Sequence, residues 1–376
     1  MKYRDFFIVF IVSLLIVSLF LQYGFFIKES SKGSTDVFVG IDVAYADLAE
    51  IKRLVDEISS YINLFVIGST GITYNNTKLD ETCQYAYDKG LSFIIFTQRP
   101  PRIQWLANAK SRWGDQFLGL YAFDELGGRQ LDIYRYRPVL EADNCTDAGN
   151  QFVGSLNMSL EHITRYYNNS VNFPLFTSDY ALYWFDYKAG YDVLFAEFGW
   201  NYSRQLNVAL CRGAATVQNK NWGVMITWTY NGTPYIESGK ELYDDMILAY
   251  DNGAKYIVVF DTNSDYTHGI LKEEHLEALK KFWNYMNHNP PTRDYLADRV
   301  AYVLPKDYAY GFRGPNDKIW GLWEADELSY EICTNLYSLM KQYGTKLDII
   351  YDDKTEPNNT SAYSKLIFWN GTVYDR

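Results

Sequence analysis

The sequence predicts an α/β protein: a (β/α)8 TIM barrel over residues 37 to 290, preceded by one transmembrane helix and its tether (1 to 36) and followed by a small α/β domain (291 to 376). Three observations predict it. Eight short apolar runs alternate with amphipathic stretches, five of those runs end in a carboxylate, and the alternation restarts after Pro290 and Pro291. Runs that are apolar on both faces suit parallel strands covered by helices, and eight of them suit a closed barrel. A carboxylate is a poor strand residue and costly to bury. Its recurrence at the same end of successive strands therefore marks one solvent-accessible rim, where barrel enzymes keep their chemistry.

The first element is an uncharged, mostly apolar run of 22 residues, Phe6 to Ile27. As a helix it rises about 33 Å, enough to cross a bilayer core of about 30 Å. Lys2 and Arg4 precede it and favour a cytoplasmic N-terminus, which places everything after residue 28 outside. No A-x-A cleavage pattern follows, so the run reads as an uncleaved signal anchor, with Lys28 to Asp36 as a polar tether. Glycosylation acceptors support export independently: N-x-S/T begins at Asn75, Asn144, Asn157, Asn168, Asn201, Asn231, Asn358, Asn359 and Asn370. The expected protein is thus a membrane-anchored, extracytoplasmic glycoprotein of the cell surface.

Strands are predicted at about 37 to 43, 63 to 69, 91 to 97, 117 to 124, 174 to 179, 191 to 197, 222 to 229 and 255 to 261. Segments such as LAEIKRLVDEISSYI and KEEHLEALKKFWNYMN between them carry apolar residues at three- and four-residue spacing, as surface helices do. Gly90 and Gly253 stand where helix C-termini are capped before the next strand. A doubly wound sheet usually has a glycine-rich phosphate turn after its first strand, and IDVAYAD contains no G-x-G-x-x-G. Beyond residue 291, RVAYVLP, LDIIYDD and KLIFWN read as strands and Glu324 to Tyr343 as a helix closed by Gly344. The linking loop Tyr308 to Trp323 is rich in glycine, aromatics and charge; it is expected to fold back over the barrel mouth, presenting Arg313, Asp317 and Trp320.

Composition excludes some functions and favours another. A net charge of -11 with no cluster of Lys and Arg argues against a nucleic-acid partner. The 34 Tyr, 10 Trp and 22 Phe supply flat apolar faces with polar handles, which suit sugar rings as well as cores. Cys83, Cys145, Cys211 and Cys333 lie far apart without C-x-x-C spacing, so neither zinc nor a redox motif is indicated. At most they form one or two disulfides, and Cys83 and Cys211 read as helix-core residues.

The rim chemistry is narrowed by what is absent. No strand end offers a lysine for a Schiff base. His162, His268, His275 and His288 all lie away from strand ends, which argues against a histidine metal site. A hard cation on Asp42, Asp124, Glu125 and Asp261 has no D-x-D-x-D-G loop to support it. No metal or cofactor is therefore expected. Paired carboxylates remain, and they suit glycoside hydrolysis, which needs one carboxyl protonated and another ionised. Glu125 is the expected general acid, since the adjacent Asp124 raises its pKa. Glu197 is the expected nucleophile or base, with Asp261 and Asp42 as substitutes, and Asp124 joins the catalytic set as the neighbour of Glu125. Asp42, Asp179, Tyr180, Trp200, Trp228, Tyr230, Arg313 and Trp320 are the candidates for substrate binding. Ordinary roles stand beside these: Asp179 as a helix cap, and Asp42 or Asp124 paired with Arg99, Arg102 or Arg129.

On these residues the chain resembles the retaining (β/α)8-barrel glycoside hydrolases whose acid/base glutamate follows strand four, and its appended unit is similar in kind to the smaller domain of β-galactosidase-type enzymes. The resemblance implies Glu125 as acid/base and a carbohydrate substrate. It departs from that pattern twice: strand four ends Asp124-Glu125 in place of Asn-Glu, and strand seven, WGVMITWTY, ends in Trp228 and Tyr230 in place of a nucleophilic Glu. The alternative is a non-catalytic surface protein that binds glycan or serves as a scaffold. Asn201 and Asn231, just past strands six and seven, would set glycans close to the same cleft.

Overall fold

In the computed structural model, which describes residues 37–98, 103–165, 173–290, 298–353 and 360–375, each expected barrel strand forms. They are β1 (Phe38–Val43), β2 (Leu64–Ile67), β3 (Ser92–Thr97), β4 (Phe117–Ala122), β5 (Leu175–Asp179), β6 (Val193–Phe198), β7 (Asn221–Ile226) and β8 (Tyr256–Phe260). Every neighbouring pair is parallel, and β8 closes on β1 with Val39 opposite Ile257. Side chains alternate across each strand, so one set fills the barrel and the other faces the helices. The inner set includes Val66, Ile94, Tyr121, Phe176, Phe195, Met225, Tyr256 and Val258. Phe176 lies 5.4 Å from Tyr256 and 5.9 Å from Phe195, so aromatic rings plug the barrel below its rim. The outer set, with Val39, Ile41, Phe65, Ile67, Phe93 and Ile95, packs under the helices.

The helices are α1 (Leu48–Ile58), a short α2 (Thr70–Thr73), α3 (Asn76–Asp88), α4 (Ile103–Trp113), α5 (Leu126–Leu131), α6 (Cys145–Arg165), α7 (Tyr183–Ala189), α8 (Arg204–Val217), α9 (Gly239–Asp251) and α10 (Glu273–His288). Capping boxes at Asp47 and Ser238 start α1 and α9, and Gly90 and Gly253, at φ 76 and 84°, follow the ends of α3 and α9 as the sequence predicts. All four cysteines are free, with Cys83 and Cys211 buried in the cores of α3 and α8, so none of the disulfides allowed for forms.

The C-terminal part has β9 (Val300–Leu304), α11 (Glu327–Tyr343), β10 (Leu347–Tyr351), β11 (Lys365–Phe368) and β12 (Val373–Asp375) in the sheet order β10-β9-β11-β12. Asp326 caps α11 through the amide of Ser329, which delays the helix from the expected residue 324 to 327. The hairpin strand β12 carries only exposed side chains, so no apolar alternation announces it. A buried ion network joins this sheet to the barrel. Arg212 on α8 and Arg299 donate to Asp348 at 2.7 and 2.9 Å, with the Tyr363 hydroxyl on the same carboxylate at 2.9 Å.

The expected membrane anchor, Phe6 to Ile27, lies outside the described residues, as do Arg99, Arg102, Asn168, Asn358 and Asn359. Among the described residues no helix is long and apolar enough to cross a membrane.

Candidate active site

A cleft of about 1020 Å³ opens at the C-terminal ends of the barrel strands. It is lined by Asp42 from β1, Asp124 and Glu125 after β4, Ser178 and Tyr180 at β5, Glu197 on β6, and Trp200 and Trp228 beyond β6 and β7. Five of the expected site residues therefore share one space with the expected acid pair, namely Asp42, Asp124, Tyr180, Trp200 and Trp228, and Arg313 stands at its edge on Asp132.

The chain after β4 is shaped by its backbone. Phe123 and Glu125 both hold positive φ, at 62 and 55°, values that cost a residue with a side chain about 1–3 kcal/mol and persist where the surroundings fix them. What fixes them is β5. The Glu125 amide donates to the Ser178 carbonyl at 2.9 Å. The amides of Gly127 and Gly128 donate to the two oxygens of Asp179 at 2.5 and 2.8 Å, and those of Tyr180 and Ala181 also reach it at 2.7 and 3.0 Å. Gly128 is required here, since a Cβ would stand 2.0 Å from the Tyr180 ring. Tyr180 then stacks on Tyr202 at 5.6 Å and donates its hydroxyl to Asp132 at 2.8 Å.

Ser178 is the hub of the site. Its hydroxyl donates to Glu197 at 2.7 Å, so Tyr121, 2.6 Å away, is the donor to Ser178. Glu197 is almost fully buried; burial holds its pKa well above the ordinary value, the Glu125 charge adds to this, and the Ser178 hydrogen bond opposes it. Glu125 is more open and is also raised, first by burial and then by Asp124, against the pull of Arg129. Burial outranks the Asp124 charge invoked from sequence. Arg129 stands 3.2 Å from Glu125 and 3.5 Å from Asp124, and Asp124 itself is raised by burial against that cation. Asp42 is raised well above its ordinary value by burial, with Asp124 adding to it.

Four expected residues lie elsewhere. Asp179 sits under the floor, both oxygens taken by backbone amides. Asp261 accepts the amides of Ile270 and Leu271 at 2.5 and 2.9 Å and fixes the loop after β8 without lining the cleft. Tyr230 is exposed and turned away, its amide donating to the Tyr235 carbonyl at 2.8 Å. Trp320 is fully buried, its ring 4.7 Å from Phe185 and 5.7 Å from Phe152, and is core between barrel helices and the C-terminal sheet. The loop it belongs to braces α5 from the side, where Gln130 donates to the Trp320 carbonyl at 2.8 Å, and does not cover the mouth. Only Arg313 reaches the rim, pairing with Asp132 at 2.7 Å and with Asp317 at 3.5 Å.

Sequence reasoning passes over Tyr45, Phe96, Tyr121, Asp132, Ser178, Tyr202 and Tyr266, all of which line the cleft. For Tyr121 and Ser178 the signal was strand parity, since they share a face with core residues of their own or the adjoining strand. Among the described residues no three acidic, histidine or cysteine groups stand close enough to share a metal ion, so Asp42, Asp124, Glu125 and Asp261 do not form a cation cage.

No family model matches the chain, and no curated protein matches it. Solved structures do. A β-glycosidase covers 69% of this chain with 98% of its own length, at 9% identity and a TM-score of 0.41. The α-L-fucosidase isoenzyme 2 of Paenibacillus thiaminolyticus covers 87% of this chain with 59% of its own, at 10% identity and a TM-score of 0.49. The D-psicose 3-epimerase of Clostridium cellulolyticum H10 covers 68% of this chain with all of its own, at 10% identity and a TM-score of 0.37. These neighbours perform different reactions, and none assigns one to this chain.

Proposed function

We propose that the chain is a glycoside hydrolase in which Glu125 is the general acid/base and Glu197 the second carboxylate. One observation carries the reading: Glu125 and Glu197 face one aromatic-walled cleft from β4 and β6, and Ser178 holds both, the first by its carbonyl and the second by its hydroxyl. Their acidities are linked. Burial and then the Glu125 charge raise the Glu197 pKa, so a proton on Glu125 removes one of those causes and eases ionisation of Glu197 beside the Ser178 hydroxyl. That is the division of labour glycoside cleavage requires: Glu125 donates to the leaving oxygen, and Glu197 attacks the anomeric carbon or activates water. Arg129 then steadies Glu125 and Asp124 once the proton has gone. Trp200 and Trp228, with rings 6.5 Å apart at 82°, offer apolar faces to the sugar.

Anchoring through Phe6 to Ile27, with the cleft outside the cell, belongs to the same proposal and rests on the apolar run and the acceptor asparagines. A second reading, a glycan-binding or scaffold protein without turnover, is favoured by one fact: β7 and the turn after it contribute Met225, Thr227 and Trp228 to the cleft and no carboxylate.

Hydrolysis of a panel of aryl glycosides by the wild type, Glu125→Gln and Glu197→Gln proteins separates the two. The catalytic reading expects each change to lower kcat by about 10²–10⁴-fold with little loss of thermal stability. In Glu125→Ala and Glu197→Ala proteins azide is expected to give a glycosyl azide, of inverted configuration where the nucleophile is missing and of retained configuration where the acid/base is missing. Full activity in Glu125→Gln would sink the assignment, and wild-type binding without turnover would favour the second reading.

A further inference from the structure

We infer that Asp42 sets the specificity of the cleft: it binds hydroxyls of an uncharged sugar ring on the β1 side, in a cleft whose one lining cation is already taken and so offers a sugar carboxylate no partner. The inference rests on the glycosidase reading and names the substrate class of that site.

The first observation is an unmet hydrogen-bonding need. Asp42 is 3% exposed and lines the cleft, yet its Oδ1 has no partner among the described residues. The other buried strand-end carboxylates behave differently. Glu197 receives the Ser178 hydroxyl, Asp179 receives four amides, and Asp261 receives two. A buried oxygen left unpaired costs about 1–3 kcal/mol, and in a cleft the natural recipient of that need is a ligand.

The second observation is that the carboxylate is seated. Its main chain is clamped from β8, with the Asp261 amide on the Asp42 carbonyl at 2.8 Å and the Ala44 amide on the Thr262 hydroxyl at 3.1 Å. Its side chain occupies space left by Gly68 at the end of β2, where a Cβ would stand 2.2 Å from Oδ1. Gly68 also lines the cleft, so the same glycine gives a ligand a close approach.

The third observation is the balance of charge. Asp42, Asp124, Glu125, Asp132 and Glu197 line the cleft, and Arg129 is the one cation among its described lining residues. Arg129 is already engaged by Asp124 and Glu125. An incoming carboxylate finds no free guanidinium to pair with, whereas a polyol meets acceptors it can donate to. The acids are too dispersed to share a metal ion, which leaves hydroxyls as the partners Asp42 lacks. Tyr45 and Tyr266, 4.8 Å apart, and Phe96 against Tyr121, at 5.1 Å, supply apolar faces around it.

The test uses the full chain. 4-Nitrophenyl glucoside, galactoside, mannoside and fucoside are compared with the glucuronide and galacturonide as substrates of the wild type, Asp42→Ala and Asp42→Asn. The Glu125→Gln protein, with and without the Asp42 changes, is titrated with the same compounds. A neutral glycoside is expected to be preferred over its uronide by tenfold or more, and Asp42→Ala to weaken neutral binding by about 10–100-fold. Asp42→Asn, which keeps a hydrogen-bonding head, is expected to retain more neutral binding than Asp42→Ala. A uronide bound as well as its neutral counterpart overturns the inference, as does neutral binding within twofold of wild type in Asp42→Ala. Either result with turnover intact overturns the inference alone. If the wild type neither binds nor cleaves any of them, the glycosidase reading falls and takes the inference with it.

Discussion

At the residue scale, the Ser178 hydroxyl opposes the burial and the Glu125 charge that hold Glu197 toward its protonated form, and removing it has a direction that can be worked out. The hydrogen bond lowers the Glu197 pKa, so Ser178→Ala raises it further. If Glu197 must be ionised to act, the acid limb of the kcat/KM profile moves to higher pH, and an unmoved limb would show that Glu197 does not govern it. Asp42 gives a second prediction. Its folded pKa is raised by burial and by Asp124, with Tyr121 nearby, so above about pH 4 the unfolded chain ionises first and holds fewer protons. Stability contributed by this group is thus lost as pH rises. Asp42→Asn removes that dependence, and its thermal midpoint is expected to exceed wild type by a margin that widens from pH 4 to 7. A variant less stable at every pH would make Asp42 an ordinary core residue. Parity explains which acids the sequence could have assigned. Asp42 and Glu197 share the inward face with Phe38 and Phe195, four and two residues earlier on their strands, whereas Asp179 and Asp261 directly follow Ser178 and Phe260 and take the opposite face. Strand ends alone made all four look equivalent.

At the scale of elements, the segment from Glu125 to Leu131 depends on a residue outside the cleft. Burial raises the Asp179 pKa to about 7 against the pull of four backbone amides on its carboxylate, and Asp186, fully buried, is raised well above its ordinary value by burial and by Asp179. Asp179→Asn offers one acceptor oxygen in place of two and turns an N–H toward amides that need acceptors. The expected cost is about 1–3 kcal/mol of stability. Because the same amides hold Glu125 in place, kcat is expected to fall by about tenfold or more with KM changed less, measurable on any glycoside the wild type cleaves. Equal kcat in a destabilised variant would make Asp179 purely structural. The element pattern itself was legible, because eight apolar runs separated by capped helices leave few alternatives. The turn after β4 was not, since positive φ at Phe123 and Glu125 is imposed by β5 and by Asp179, which lie about fifty residues further along the chain.

At the scale of the whole molecule, the C-terminal sheet is tied to the barrel by charge as well as by aromatic packing, and nothing local in the sequence announces this. Arg212 belongs to a barrel helix and Asp348 to β10, 136 residues apart, and each reads by itself as a surface charge. Together with Arg299, Tyr363 and Asn252, which accepts from Arg212 at 2.8 Å, they form a buried cluster in which Arg299 Nε alone is left without a partner among these groups. Such a cluster is not evidence of large net stabilisation, because desolvation offsets much of the attraction; breaking it is a different matter. Asp348→Ala leaves two guanidinium groups buried without their carboxylate. The expected loss is about 3–5 kcal/mol in chemical denaturation followed by tryptophan fluorescence. Because Trp320 and Arg313 lie on the same appended segment, one in the joint and the other on Asp132 at the rim, the barrel and the sheet are expected to unfold in one transition. Two separated transitions in the wild type, or a loss under about 1 kcal/mol in the variant, would mean that the sheet rides on the barrel without supporting it. In that case the rim pair of Arg313 with Asp132 would have to be tested alone as the link between the sheet and the cleft.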